Sequence, residues 1–203
     1  MPGMALPPQP WPTGLCEIPE PLVRRLLAPN ASPFTYTGTQ SYLVGGEDGL
    51  VVIDPGPDDP EHLAALVGAI GAAKVIAITC THTHRDHSPA AAPLAALTGA
   101  PIIGCAPLVI VSDEPRVDAP FDKSYTPDRV LADGEAISGP GWTLRAVATP
   151  GHTSNHICYA LEETGAPFET HLVAFMAGEH RKPAFLARNP SGKVPVLLVD
   201  GQP

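Results

Sequence analysis

Between Gln40 and Leu161 the chain alternates short runs rich in valine and isoleucine with turns of glycine, proline and aspartate. Ser41–Val44 and Leu50–Ile53 flank Gly45-Gly46-Glu47-Asp48-Gly49, a pattern that predicts a β-hairpin. Asp59 can cap a helix with Pro60 at its first position, and Leu63, Leu66, Val67 and Ile70 recur at three and four. One apolar face of 60–70 is therefore expected to pack on a sheet, with Gly71 ending the helix. Val75–Thr79 predicts a strand, and Ser88-Pro89 opens a helix through Leu97, with Pro93 delaying or bending its start and Gly99 terminating it. Further strands are expected at 101–104, at 130–137 broken by Asp133-Gly134, at 142–148 and at 157–161, whereas Asp113–Asp128 reads as a loop. Pro21–Leu27 fits either a short strand or a turn of helix. Strands and helices in this order predict an α/β chain folded as a two-sheet sandwich with helices outside.

Length changes the picture little: 203 residues and 44% hydrophobic content suit one domain or one and a half. Charge narrows the partners. A net charge of −9 disfavours a broad electrostatic grip on nucleic acid and leaves a small-molecule substrate as the expected partner. Cys16, Cys80, Cys105 and Cys158 lie far apart without C-x-x-C spacing, which indicates neither a thiolate zinc cluster nor a disulfide framework and fits a reduced cytoplasm. Cys80 reads as a buried structural thiol. No run of eighteen apolar residues exists to span a membrane, and residues 1–16, with five prolines, read as a flexible arm.

The chemistry concentrates in Thr81-His82-Thr83-His84-Arg85-Asp86-His87, directly after the predicted strand 75–79. Histidines two apart on an extended segment point to one side, and the Asp-His pair after them can turn toward a second ion. Nitrogen and carboxylate donors without thiolate favour zinc, with iron or manganese as alternatives. A further histidine, His152, sits in Thr149-Pro150-Gly151-His152-Thr153-Ser154-Asn155-His156 at the end of the predicted strand 142–148.

The H-x-H-x-D-H loop at 82–87 and the T-P-G-H-T loop at 149–153 resemble those of the metallo-β-lactamase-fold hydrolases, in the lactamase-like branch near glyoxalase II. The resemblance takes in Ile53-Asp54-Pro55-Gly56 and the lead-in from Ala28 to Thr39, and covers about 17–162. It implies an αβ/βα sandwich with metals at one edge, a first zinc on His82, His84 and His152, and a second position at Asp86 and His87. One zinc is expected, with a second admitted. Asp86 is the expected catalytic carboxylate and Asp54 an acceptor behind the ligands that orients one of them or their loop. An open fourth position on such a zinc lowers the pKa of bound water to about 7. His156 reads as structural or solvated, with a place flanking the site as the alternative, and His62 and His171 read as surface residues.

From Glu163 onward the pattern changes. Gly178-Glu179-His180-Arg181-Lys182-Pro183 through Gly192-Lys193-Val194-Pro195-Val196-Leu197 resembles the front of the thioredoxin-like N-terminal domain of glutathione transferases, without that enzyme's thiol-activating residue. The implied organisation is a Pro-rich arm at 1–16, a truncated metallo-β-lactamase-like domain at 17–162 and a glutathione-transferase-like fragment at 163–203. That family resemblance predicts a cis Val194–Pro195 bond, and Glu179 is a poor substitute for the aspartate that bridges the two metals in metallo-β-lactamases. An incomplete sandwich is expected to leave an unpaired edge through which copies oligomerise. The functional expectation is a zinc-dependent hydrolase of a thioester, ester or lactam-type substrate. The alternatives are a metal-dependent endoribonuclease on the same scaffold, in which case RNA is the partner, and a non-catalytic metal-binding chimera.

Overall fold

A computed structural model of the chain describes residues 12–109, 120–163 and 181–187. His171, Glu179 and the Val194–Pro195 bond lie outside the described residues, as do residues 113–119 of the predicted loop 113–128.

Among the described residues the first sheet has five strands in the order β1 (Glu17–Glu20), β2 (Val23–Leu27), β3 (Gln40–Gly46), β4 (Gly49–Ile53) and β5 (Val75–Thr79). β2, β3 and β4 pair antiparallel, and the β3–β4 hairpin closes with Gly46 opposite Gly49, around the turn that the glycine-rich segment predicts. β4 and β5 run parallel, which requires a crossover, and α1 (Pro60–Ile70) supplies it. Its cap is the predicted one: the Asp59 side chain accepts from the His62 N–H at 2.8 Å, and Gly71 closes the other end.

α2 (Ala91–Thr98) starts three residues later than Ser88, because Ser88 to Ala90 form a turn in which Ala90 N–H is held by Gly56 O. Two short parallel strands, β6 (Ile103–Gly104) and β7 (Arg129–Val130), follow. The second sheet is antiparallel, with β9 (Trp142–Ala148) between β10 (Ile157–Glu163) and β8 (Ala136–Gly139). The Asp133-Gly134 turn parts β7 from β8, with Gly134 in the left-handed region at φ +80°. A single turn of helix, α3, spans Pro183–Leu186.

The two sheets share one core. Leu43, Val51 and Ile78 of the first and Leu144, Ala146 and Ile157 of the second belong to one buried cluster, with Leu66 of α1 and Leu94 of α2. Trp142 is buried between the sheets, close against Gly45 of β3 and Gly139 of β8. Among the described residues no helix is long and apolar enough to cross a membrane.

Of the two readings of Pro21–Leu27 the strand holds, as β2 over Val23–Leu27, and it is preceded by a strand β1 that its charged sequence, Glu-Ile-Pro-Glu, does not announce. One expectation needs correction. His62 is not a surface residue: its ring is buried, with Nε2 2.9 Å from Ser41 Oγ beneath Gly56.

Candidate metal centre

Three strand ends converge on one edge of the sandwich. β4 delivers Asp54, β5 delivers the loop 80–88, and β9 delivers the turn 149–156. The turn is stitched to the loop by the Ile157 N–H, which donates to Thr81 O at 2.9 Å, and by Asn155 Nδ2, which donates to Thr83 Oγ1 at 3.2 Å. Behind the loop, segment 120–122 runs antiparallel to it, with Arg85 N–H donating to Pro120 O and Asp122 N–H to Thr83 O.

His82, His84 and His152 come together at this edge. His82 Nε2 and His152 Nε2 each stand 3.1 Å from His84 Nδ1, and one ligand atom from each ring lies within 4.8 Å of the other two. A tetrahedral zinc with bonds of about 2.0–2.1 Å holds its donor nitrogens about 3.3 Å apart. Both separations of 3.1 Å suit a tetrahedral ion, to which three such donors would leave one position open. His82 and His84 are buried and His152 is exposed, so the centre opens to solvent on the side of the 149–156 turn.

Asp86 and His87 form a pair beside the triad. Asp86 Oδ2 accepts from Thr39 Oγ1 at 3.0 Å and lies 3.2 Å from His87 Nε2, and His87 Nδ1 lies 3.0 Å from Asp54 Oδ2. Asp54 also accepts from the Thr81 backbone N–H at 2.7 Å and from Thr81 Oγ1 at 2.8 Å. His87 is thus clasped between two carboxylates, and its ring packs 4.2 Å from that of His82.

Charge follows geometry. Burial opposes a proton on His87, but Asp54 and then Asp86 outweigh it and hold the pKa up at about 10. Burial likewise opposes ionisation of Asp86, yet its bond to His87 and the His87 charge, with Thr39 added, bring it down to about 2. His82 goes the other way: burial, then the surrounding imidazoles, push it far below its ordinary value and keep it neutral.

Two neighbours of the triad were left out by sequence reasoning, and a third, His156, was read as structural or solvated with a flanking place as the alternative. His156 stands with its ring 5.1 Å from that of His82 and its Nδ1 2.8 Å from Thr149 Oγ1. Burial, first, and the neighbouring histidines lower it to about 4 against the pull of Asp54. Asn155 and Thr81 are the others. Thr81's place directly before His82 was the available signal, whereas Asn155 has no signature apart from lying in the His152 turn.

Residues 35–166 match the model of the metallo-beta-lactamase superfamily, and residues 153–203 match that of the glutathione S-transferase N-terminal domain. The chain belongs to the metallo-beta-lactamase superfamily. An atrochrysone carboxyl ACP thioesterase of Aspergillus chevalieri is 34% identical over 154 residues, which cover 73% of this chain and 44% of that protein. A lactamase-like protein of Pestalotiopsis microspora is 32% identical over 150 residues, covering 73% of this chain and 42% of its own. The chain spans less than half the length of these curated relatives. Among solved structures, a metallo-β-lactamase of Cronobacter sakazakii superposes with a TM-score of 0.57 at 24% identity, covering 76% of this chain and 60% of that one, which shows the shared fold. The two family matches overlap at 153–166, where Ile157–Glu163 pairs residue for residue with β9 and so belongs to the sandwich.

Proposed function

We propose that this chain is a zinc-dependent hydrolase of small acyl thioesters. The observation that carries the reading is the convergence of three imidazoles, with His82 Nε2 and His152 Nε2 each 3.1 Å from His84 Nδ1. His82, His84 and His152 would hold one zinc tightly. Asp86 and His87 would offer a weaker second position, since they are two donors and His87 holds a proton that it must lose to ligate. When bound, zinc supplies a Lewis acid that polarises a carbonyl and ionises water near neutral pH. The chain's own part is placement: the exposed His152 side admits substrate, the buried His82 side excludes water, and Asp54 and Asp86 orient the rings. The choice of a thioester over an ester or lactam follows the relatives named as thioesterases. We assign the hydrolase to about 17–162, in keeping with β10 closing the second sheet at Glu163.

Native mass spectrometry of the purified full chain, paired with release of free thiol from an acyl-pantetheine thioester, tests this. One zinc per chain and thiol release abolished by chelation or by His84→Ala are expected. A folded chain that binds no zinc, or whose thiol release survives chelation, overturns it.

A further inference from the structure

The ligand rings are held by more than their loops. Thr81 Oγ1 lies 2.8 Å from Asp54 Oδ2 and 2.9 Å from His82 Nδ1. A hydroxyl carries one hydrogen and a carboxylate can only accept, so that hydrogen is committed to Asp54. The Thr81 oxygen must then accept from His82, which places the ring proton on Nδ1 and leaves Nε2 bare. Nε2 is the atom that faces His84 Nδ1. The same Asp54 Oδ2 lies 3.0 Å from His87 Nδ1, so His87 keeps a hydrogen there and turns Nε2 toward Asp86. The other carboxylate oxygen is taken by the Thr81 backbone N–H at 2.7 Å.

The backbone supports this arrangement. Asp54 sits at φ +50°, a left-handed conformation that a non-glycine residue keeps only where the surroundings enforce it. Its N–H continues the β4–β5 ladder to Thr79 O, and the neighbouring Gly56 N–H donates to His87 O. Both bonds fix Asp54 relative to the loop it serves.

We propose that Asp54 and Thr81 form a single relay that holds a hydrogen on Nδ1 of one histidine in each metal position, His82 through the Thr81 hydroxyl, which sets its tautomer, and His87 directly. Both are positioning residues: they touch the ligands and not the substrate. The arrangement is asymmetric, because Thr81 serves His82 alone while Asp54 serves both rings. The relay rests on the reading of His82 and His87 as ligands. The Nδ1 hydrogens, however, are held in the metal-free chain, so they can be read without metal or turnover.

The test uses the full chain with ¹⁵N-labelled histidine and long-range ¹H–¹⁵N correlation of the ring nitrogens, first metal-free and then with zinc titrated against a competing chelator. In the metal-free chain His82 is expected to carry its proton on Nδ1. Thr81→Val should convert His82 to a tautomer mixture and weaken the first zinc about 10–100-fold while leaving the His87 signals in place, and Thr81→Ser should restore both. Asp54→Asn should disturb both rings and both positions. A proton on His82 Nε2 in the metal-free protein, or a folded Thr81→Val variant with unchanged tautomer and affinity, overturns the relay. The expected tautomers in a chain that binds no zinc uphold the relay and overturn only the metal reading.

Discussion

Asn155 and Thr83 stand 72 positions apart in sequence and are joined by a hydrogen bond of 3.2 Å from Asn155 Nδ2 to Thr83 Oγ1. Thr83 separates His82 from His84, and Asn155 closes the turn that carries His152, so this bond ties the two histidine-bearing segments together. The same amide donates to Ala106 O at 2.7 Å. Asn155→Ala removes both bonds. At about 1 kcal/mol per buried hydrogen bond, the chain should stay folded with a melting midpoint several degrees lower. Zinc affinity should fall about tenfold, read by chelator competition, because the donor spacing depends on the tie. An unchanged affinity with a lowered midpoint would reduce Asn155 to a fold contact.

Trp142 gives a prediction about the sandwich itself. A Cβ on Gly139 would come within 2.4 Å of the Trp142 ring, and one on Gly45 within 2.8 Å of Trp142 Nε1 and 2.3 Å of Gly49 O. Gly139→Ala should therefore destabilise the fold by about 1–3 kcal/mol through overpacking. Trp142→Ala should cost about 3–5 kcal/mol through the cavity. Urea denaturation measures both, and Trp142→Phe should recover part of the Gly139→Ala loss if the clash is the cause.

How much of this was legible depended on whether the signal was local. α1 spans the predicted residues because Asp59, Pro60 and Gly71 punctuate an apolar face of helical period. The strands 75–79 and 142–148 are also found where the β-branched runs place them. The convergence of His82, His84 and His152 was legible because they cluster at two strand ends. β1 was not, since Glu17–Glu20 is fully exposed and pairs only along an edge, where no apolar alternation is required. His62 was misread because its burial depends on Ser41, which approaches across the sheet, and a helix pattern does not report such a partner. Asn155 was invisible for the same reason.

Ser41 and His62 form a buried pair whose removal should show a marked asymmetry. Ser41→Ala leaves His62 Nε2 buried with its described partner gone, which costs about 1–3 kcal/mol. Replacing both, as Ser41→Ala with His62→Leu, removes the stranded polar atom and should be milder than the single change. Thermal melts of the three proteins check this, and a double variant worse than Ser41→Ala would mean that His62 does more than fill its site beneath Gly56.

The clasp of His87 between Asp54 and Asp86 sets a pH signature for the metal-free chain and another for metal binding. His87 is raised from an ordinary 6.5 to about 10, so its contribution to stability is complete below about pH 6.5 and is lost as pH rises through 10. Asp86 is lowered from 3.8 to about 2, so its contribution is complete above about pH 4 and is lost as pH falls through 2. The metal-free protein should thus draw the full benefit of the cluster between about pH 4 and 6.5, and His87→Gln should flatten the dependence of its melting midpoint on pH. Metal reverses the preference, because His87 can ligate only after losing its Nε2 proton. Affinity at the Asp86–His87 position should rise about tenfold per pH unit from pH 7 to 9, with one proton released per ion bound. His82 is already neutral and adds no such proton to binding at the triad. Titration calorimetry in buffers of different ionisation enthalpy separates the two events. A second ion that binds without releasing a proton would show that His87 is not its ligand.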